Sequence, residues 1–417
     1  MREPAETMPC WRGVHSLVMC VLVCVIAAGC VGPQAISYTR LRYNEVYRNT
    51  NDEQLLLNIV RLRYADSPVF IDLPNITSQF EMAGRGGYTN GLDGSGPGRS
   101  NLGVGELSLR DSPTLSYHPR GGNEIAKALL TPLTAELPRV IQAGANLEQL
   151  FLLAVNDIND VQNAPRSTYM TPTVGGDNED FRYAVGLLAS LRNRSAIELS
   201  FKTTEEPETV ESIEVSEIKA GDLIAAAKDK LVFHPQADKR LKLSRKEKVL
   251  VLQIRPDFVE SHEMQELWRV FNLIPKQSFY KMKAEQADEE TPDHNGVPPG
   301  DTIYLNMRSI LQIMTFLSKG VRVPEEHVLC GIAPTTPGPD GVAFDWTPTT
   351  EGVFCVQVQR RRPRNTECAV KYRGYWFYIN LNDVNSRASL ATLEILFALQ
   401  ESEGTPQVPQ LTLPLGG

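Results

Sequence analysis

The chain has 417 residues, of which 42% are hydrophobic and 22% charged, and its formal net charge is −8 at pH 7. These fractions are typical of a globular protein, and the length is enough for two or three domains with hydrophobic cores. The negative net charge disfavours nucleic acid and anionic lipid head groups as partners, so we expect no nucleic-acid binding.

The first predicted element is the apolar run from Leu17 to Ala28. At roughly 1.5 Å per residue, a helix of about 12 residues is too short to cross a hydrocarbon core of ~30 Å. The run therefore indicates the apolar part of a signal peptide. Three small residues precede Cys30, namely Ala27, Ala28 and Gly29, and this arrangement resembles the bacterial lipobox. We expect cleavage after residues 1–29 and attachment of diacylglycerol to the Cys30 thiol.

The predicted lipid also indicates the cellular location of the protein. Three acyl chains on a mature bacterial lipoprotein hold it firmly at a bilayer, whereas a single chain binds marginally. Val31 follows Cys30, at the position where an aspartate would resemble the inner-membrane retention signal. The sequence therefore predicts a lipoprotein of the bacterial outer membrane, anchored through Cys30, with its body facing the periplasm.

Residues 30–45 form the predicted tether between the lipid and the fold, and residues 46–200 form a first α+β domain. Within that domain, Thr50 followed by Glu53 is a capping box that predicts the start of a helix. The apolar face of this helix consists of Leu55, Leu56, Ile59, Val60 and Leu62. The stretch VFIDL after the helix predicts a strand.

The segment 83–105 is rich in glycine, which disfavours regular structure. It contains neither GxGxxG before a helix nor GxxxxGK[ST], the patterns of phosphate-binding loops. We interpret it as an insertion between two strands, with a phosphate-binding loop or a mobile lid as the alternatives. The stretch GELSLRDSPTLSYHP at its far end alternates as an exposed antiparallel strand does.

Helical and strand patterns then alternate as far as residue 287. Helices are predicted at NEIAKALLTPLT, ELPRVIQAG, NLEQLFLLAVNDINDV and DFRYAVGLLASLRNR, before a strand at AIELSFKT. Asn146 is the expected N-cap of the third helix. The middle segment 201–287 has predicted helices at EIKAGDLIAAAKDKL and EMQELWRVFNLI and strands at EKVLVLQIRPDF and SFYKMKAEQ. Proline and charge dominate residues 288–301, which we interpret as a linker.

Residues 302–403 form the predicted C-terminal α+β domain, and residues 404–417 an extended tail. After a helix at RSILQIMTFLSKGV, the stretches GVFCVQVQ, ECAVKYR and YWFYINL predict a three-stranded meander. The helix SLATLEILFALQ is expected to cover one face of it. Cys355 and Cys368 flank the first predicted turn, so we expect a disulfide between them in an oxidising periplasm. Three reduced thiols, including Cys330, are the alternative.

Catalytic motifs are incomplete in this sequence. The stretch HEMQE places Glu266 where HExxH has its second histidine, so it does not predict a zinc site. GxSxG is absent from the sequence, and no cysteine opens a recognisable helix beside a histidine. We therefore predict no catalytic residues, no metal and no cofactor.

Aromatic residues concentrate in the stretch YRGYWFYI. Alternation along a strand places Tyr375 and Phe377 on one face and Trp376 and Tyr378 on the other. One face must belong to the core, so the other is a candidate binding surface. A sheet that is covered on both sides is the alternative.

Two long stretches are similar to known proteins. YNEVYRNTNDEQLLLNIVRLRYADSPVF and YRGYWFYINLNDVNSRASLATLEILFALQ resemble two blocks shared by a family of uncharacterised bacterial outer-membrane lipoproteins. The resemblance extends over most of the chain after Cys30. It implies an envelope location and no known activity.

Together these features predict an α+β protein of mixed helices and largely antiparallel sheets, in two or three packed domains. We expect it to act as a non-catalytic binding or scaffolding component of an envelope assembly, with an envelope protein as its partner. A cell-envelope hydrolase that uses acidic residues is one alternative. An accessory lipoprotein of a transport or export machine is a second.

Overall fold

A computed structural model describes residues 31–402 apart from 90–101, 120–122, 135, 165–176, 208–212, 215–220, 222–225, 227, 229, 236–239, 286–298 and 339–340. The fold is α+β, with helices and mixed, open sheets. The predicted signal peptide, Cys30 and the predicted tail lie outside the described residues. Within the described part of the chain, no helix combines the length and apolar character needed to cross a membrane.

Helix α1 spans Val31–Arg63. We predicted that this helix begins at Thr50 and that residues 30–45 form a spacer, and the structure instead continues the helix through the predicted spacer. Thr50 lies inside the helix, where its Oγ1 donates to the carbonyl of Tyr47 at 2.9 Å, a back-bond that helices tolerate. Residues 40–49 contain neither proline nor glycine, so nothing in that stretch breaks the helix.

Strands β1 (Ile71–Thr89) and β2 (Leu102–Pro119) form a two-stranded antiparallel sheet, which we call the ribbon. The two strands that we predicted around segment 83–105 therefore extend into it, and residues 90–101 between them lie outside the described residues. At ~3.4 Å per residue, the ribbon is roughly 60 Å long.

Four helices follow: α2 (Asn123–Leu130), α3 (Glu136–Gln142), α4 (Leu147–Ala154) and α5 (Asp177–Asn193). Asn146 caps α4 as predicted, because its side chain accepts the N–H of Gln149. We predicted that α4 continues through NDINDV, and this extension is wrong. These residues form strands β3 (Val155–Ile158) and β4 (Val161–Gln162), joined by a tight turn in which Asn159 and Asp160 have positive φ.

Eight strands of the described residues form one sheet. Besides β3 and β4 it contains β5 (Ile197–Pro207), β6 (Ile213–Glu214), β7 (Leu231–Pro235), β8 (Arg240–Ile254), β9 (Phe279–Glu285) and β10 (Thr302–Met307). The order is β4-β3-β10-β9-β8-β5, with β6 and β7 also paired to β8. Strands β9 and β10 are parallel, and the other pairs are antiparallel. Helix α6 (His262–Val270) connects β8 to β9 and is capped by Ser261.

This sheet crosses the predicted domain boundaries. The boundary between residues 200 and 201 falls inside β5, and the predicted linker 288–301 separates β9 from β10, which pair directly. Buried apolar residues of all three predicted segments belong to one hydrophobic cluster. The predicted segments therefore share a sheet and a core. Of the helix predicted at EIKAGDLIAAAKDKL, most residues lie outside those the structure describes.

The C-terminal part contains helices α7 (Ile310–Ser318), α8 (Glu325–Leu329), α9 (Thr347–Thr350) and α10 (Val384–Ser402), and strands β11 (Gln357–Gln359), β12 (Thr366–Tyr372) and β13 (Tyr375–Asn380). The strand order is β11-β13-β12. A meander would place β12 between the other two strands, so that prediction is wrong. The most apolar of the three strands, β13, takes the central position, where it is best buried. Leu393 and Leu396 of α10 belong to the same hydrophobic cluster as Phe377 and Ile379 of β13.

Candidate binding surfaces

The structure divides the four aromatic residues of the predicted binding surface between the two faces of β13. Phe377 is fully buried, together with its same-face neighbour Ile379, so it is not available to a ligand. Trp376 and Tyr378 occupy the opposite face and are half-buried. The Tyr378 hydroxyl donates to Gln359 Oε1 at 3.3 Å, and the guanidinium of Arg362 lies 5.3 Å from the ring centroid of Trp376. This outer face therefore presents aromatic surface beside amide and cationic groups.

Tyr375 belongs to a polar aromatic cluster at the end of the sheet. The Tyr64 hydroxyl and His327 Nδ1 are 2.7 Å apart, and the His327 ring makes edge contacts with both Tyr64 and Tyr375. Tyr375 donates to Glu326, and Arg360 Nε donates to the Tyr375 hydroxyl at 2.8 Å. Burial raises the pKa of Tyr64 to about 12, so this phenol stays protonated at neutral pH. The cluster connects Tyr64, the residue after α1, to α8 and β13.

Sequence reasoning missed this cluster because its members are far apart in the chain. Tyr64 and His327 are separated by 263 positions, and the histidines show no ligand spacing. A second contact of the same kind links Asp66 to the β12–β13 turn, where Tyr372 and Arg373 both donate to Asp66 Oδ2. These bonds lower the pKa of the Asp66 carboxyl. Long-range pairs of this kind leave no periodic signal in the sequence.

The free thiols contradict the predicted disulfide. Cys330, Cys355 and Cys368 are all unpaired as disulfides in the structure. Cys368 lies in β12, and Cys355 lies shortly before β11. Because β13 lies between β11 and β12, these two strands are roughly 9–10 Å apart, whereas a disulfide needs Cα atoms within about 7 Å. Cys368 is instead buried opposite Ile379, and this burial raises the pKa of its thiol.

A cavity of about 300 Å³ lies between α1, the C-terminal sheet and α10. Its apolar lining consists of Cys368, Ile379, Val384, Ala388, Leu390 and Ala391, and its charged lining of Arg48, Asp52, Glu367, Arg387 and Glu394. Glu367 Oε1 lies 2.7 Å from Arg48 Nη2 and 3.5 Å from Arg387 Nη2. Burial raises the pKa of the Asp52 and Glu394 carboxyls. Sequence reasoning missed this site, because its residues come from three distant elements.

The ribbon has two chemically different faces. Directly opposite residues of antiparallel strands share a face, and successive residues alternate. From Asn75 onward, the register gives one face most of the large apolar residues: Ile76, Phe80, Met82, Tyr88, Leu107, Leu109 and Leu115. The other face carries most of the polar residues, including Thr77, Gln79, Glu81, Arg85, Glu106, Arg110, Ser112 and Thr114. Asp111 is the one charged residue of the apolar face in this stretch.

Helix α1 holds the base of the ribbon. The fully buried Asn58 donates from Nδ2 to the carbonyl of Val69 at 2.8 Å and accepts the N–H of Val69 at 2.9 Å. Gln54 Oε1 accepts the N–H of Ile71, the first residue of β1, at 2.7 Å. The helix that starts at Val31 is therefore fixed to the strand that starts the ribbon.

Both long edges of the ribbon are open in the described structure. Among the described residues, ladder hydrogen bonds join β1 and β2 to each other and to no other strand. A two-stranded sheet is marginally stable alone, and its edges present rows of unpaired N–H and C=O groups. An amphipathic ribbon of this length is thus a surface suited to binding another strand.

Comparison with known proteins finds no matching family model, no matching curated protein and no matching solved structure. The resemblance of two sequence blocks to bacterial lipoproteins therefore stays a prediction. Within the described residues, no group of three or more His, Cys, Asp or Glu side chains is placed to hold a metal ion.

Proposed function

We propose that this chain is a lipid-anchored protein of the bacterial outer membrane that faces the periplasm and acts as a non-catalytic scaffold. In this proposal Cys30 carries the lipid, and the ribbon binds an envelope protein partner. The amphipathic ribbon with two open edges is the observation that carries the proposal. A strand-to-strand contact supplies affinity through backbone hydrogen bonds, while the alternate side chains supply specificity.

The connection between the predicted anchor and the ribbon supports this assignment. Helix α1 begins at the residue after Cys30, and at ~1.5 Å per residue its 33 residues extend roughly 50 Å. Asn58 and Gln54 then attach its last turns to the base of the ribbon. A helical spacer with a fixed end holds the ribbon at a defined distance from a membrane better than a flexible linker does.

The test is a cross-linked pull-down of the full-length protein from its native cell, read by mass spectrometry. Two variants accompany it: Cys30→Ser, and a ribbon excision in which a short Gly-Ser turn replaces residues 75–116. We expect the parent to stay with the outer membrane and to recover a protein in constant ratio. The excision variant should stay with the membrane and lose that protein, and Cys30→Ser should leave the membrane.

Two outcomes would overturn the proposal. If the ribbon excision recovers the same protein in the same ratio, binding does not use the ribbon. If Cys30→Ser fractionates like the parent, the protein is not anchored through that residue. Thermal unfolding of the excision variant serves as the control for folding, because β1 and β2 pair with each other and with no other strand of the described residues.

The cavity beside Asp52 favours a second candidate, a cell-envelope hydrolase with acidic catalysis. Carboxyl groups with raised pKa in a cleft are a recurrent feature of acid–base sites, and Asp52 and Glu394 line the same cavity. The test is product release from peptidoglycan and oligosaccharide panels by the purified protein, with Asp52→Asn and Glu394→Gln as variants. Activity abolished by both substitutions would replace the scaffold proposal, and absence of activity would leave the scaffold.

A further inference from the structure

We propose that β1 of the ribbon pairs edge to edge with β1 of a second copy of this chain, in an antiparallel register centred on Ala83. This inference deepens the proposed function and rests on it, because it names the chemistry of one partner that the ribbon binds. It follows from the positions of charged residues, of large and small side chains and of prolines along β1 and β2.

Charge selects the register. Glu81 and Arg85 lie on the polar face of β1 with Ala83 midway between them. When two copies of β1 pair about Ala83, Glu81 stands directly opposite Arg85 of the second copy, and the symmetry repeats this pair. Registers centred on Glu81 or on Arg85 place like charges opposite each other, which is destabilising. Opposite charges at directly facing positions stabilise an antiparallel pair.

Side-chain size agrees with the same register on the apolar face. Pairing about Ala83 sets Phe80 opposite Gly86 of the second copy, and Met82 opposite Gly84. A large residue facing a glycine across two strands fills the space that the glycine leaves, a pairing that stabilises sheets. Gly84 and Gly86 belong to the glycine-rich segment 83–105, and in the proposed pair they therefore give space to large residues of the second copy.

Proline selects β1 over β2. The second strand has the same charge spacing, with Glu106 and Arg110 placed about Ser108. However, β2 contains Pro113 within its length, and a proline lacks the N–H that a ladder needs, so it is typical of edge strands that do not pair further. From Asn75 to Thr89, β1 contains no proline. The expected strand order in the pair of ribbons is therefore β2-β1-β1-β2.

Cysteine cross-linking tests the register. The variant Ala83→Cys brings two thiols directly opposite each other across the two-fold axis, within disulfide range. In the matched variant Ser108→Cys, the two thiols lie three strand spacings apart, roughly 14 Å, which is beyond that range. Both are made in the full-length chain with the exposed Cys330 replaced by serine, and dimers are measured on non-reducing gels after mild oxidation in membranes.

We expect about tenfold more disulfide dimer from Ala83→Cys than from Ser108→Cys. Equal yields from the two variants, or a higher yield from Ser108→Cys, would overturn pairing through β1. If Ala83→Cys gives no dimer while ribbon excision still removes a different protein from the pull-down, the second-copy inference fails and the scaffold proposal stands.

A charge exchange supplies an independent test in the Ala83→Cys background. The double variant Glu81→Arg with Arg110→Glu keeps opposite charges within the ribbon but sets like charges opposite each other between copies. We expect about tenfold less dimer from it, because the two-fold axis places two pairs of like charges opposite each other. Adding Arg85→Glu with Glu106→Arg restores opposite charges between copies and should restore the dimer. Equal yields from the double and quadruple variants would contradict the register.

Discussion

Arg308 is a charged side chain held inside the core, with 3% of its surface exposed. Its Nη1 donates to the carbonyls of Leu152 and Leu153 at 3.1 Å, and its Nη2 donates to the carbonyl of Asn163. The last carbonyls of a helix such as α4 have no partner within the helix. Arg308 donates to both of these α4 carbonyls, and Asn163 Nδ2 also donates to that of Leu152 at 2.9 Å. The Arg308 guanidinium lies 4.3 Å from the ring centroid of Phe316.

Replacing this side chain should therefore be costly. We predict that Arg308→Met lowers the free energy of unfolding by about 3–5 kcal/mol, because the buried carbonyls of Leu153 and Asn163 lose the guanidinium donor. The matched control is Arg255→Met, which removes a surface arginine whose side chain is 56% exposed and should change stability by less than about 0.5 kcal/mol. Urea titrations of both variants measure the difference, and similar midpoints would show that Arg308 does not cap α4.

Two aspartates near α1 should respond to pH in opposite directions. Hydrogen bonds from Tyr372 and Arg373 lower the pKa of Asp66, so its contribution to stability is present above the unfolded pKa and is lost as pH falls. Burial raises the pKa of Asp52, so its protonated form favours the fold, and that contribution is lost as pH rises through the raised pKa.

We therefore expect Asp66→Asn to be less stable than the parent at pH 7, and the difference to shrink as the pH falls below about 4, through the lowered pKa of Asp66. Asp52→Asn should be more stable relative to the parent at pH 7 than at pH 4. Melting temperatures of the three proteins across this range measure both effects. A constant offset between parent and variant at all pH values would contradict the assigned pKa shift.

At the level of elements, short sequence patterns predicted helix caps, helix faces and individual strands, because these features depend on residues close together in the chain. The cap at Asn146, the apolar face of α1 and the strands on either side of segment 83–105 all follow from side chains within a few residues of each other. The start of α1 was misplaced because Thr50 and Glu53 form a valid capping pattern in sequence, while the preceding residues contain no helix breaker. Local chemistry alone does not choose between these two starts.

Strand order and long-range contacts were not predictable from the sequence. Nothing between β11 and β12 signals that β13 will lie between them, because that order depends on which strand gains most from central burial. The same holds for Tyr64 with His327, and for the cavity, whose lining comes from three elements. The aromatic stretch was predicted as two faces, but which face enters the core depended on where α1 and α10 pack.

The strand order leads to a prediction about the thiols. We expect the protein to contain no Cys355–Cys368 disulfide even after export to an oxidising compartment, because β13 lies between β12, which contains Cys368, and β11, which follows Cys355. Mass spectrometry of a non-reduced digest, with free thiols alkylated beforehand, measures this directly. Both peptides should carry the alkyl group, with Cys368 modified after denaturation because it is buried. A peptide pair linked through these two residues would show that β11 and β12 are neighbours instead.

For the whole molecule, the predicted anchor and the ribbon lie on either side of a single helix. In the proposed membrane-anchored state, copies are confined near one plane, and α1 sets each ribbon at the same distance from it. Such confinement raises the effective concentration of one ribbon at another without any new contact. Pairing too weak to form in solution can therefore occur between anchored copies.

This confinement gives the last prediction. In the Ala83→Cys background, the lipidated protein in vesicles should form disulfide dimers at a total concentration where the soluble body, residues 31–417, remains monomeric. Adding lipid at constant protein should reduce the dimer, because it dilutes the copies in the plane of the membrane. The control is the soluble body at increasing concentration, which should recover the dimer as mass action requires. If the dimer yield is independent of anchoring and of the lipid-to-protein ratio, then the two ribbons meet by a route that does not involve the membrane.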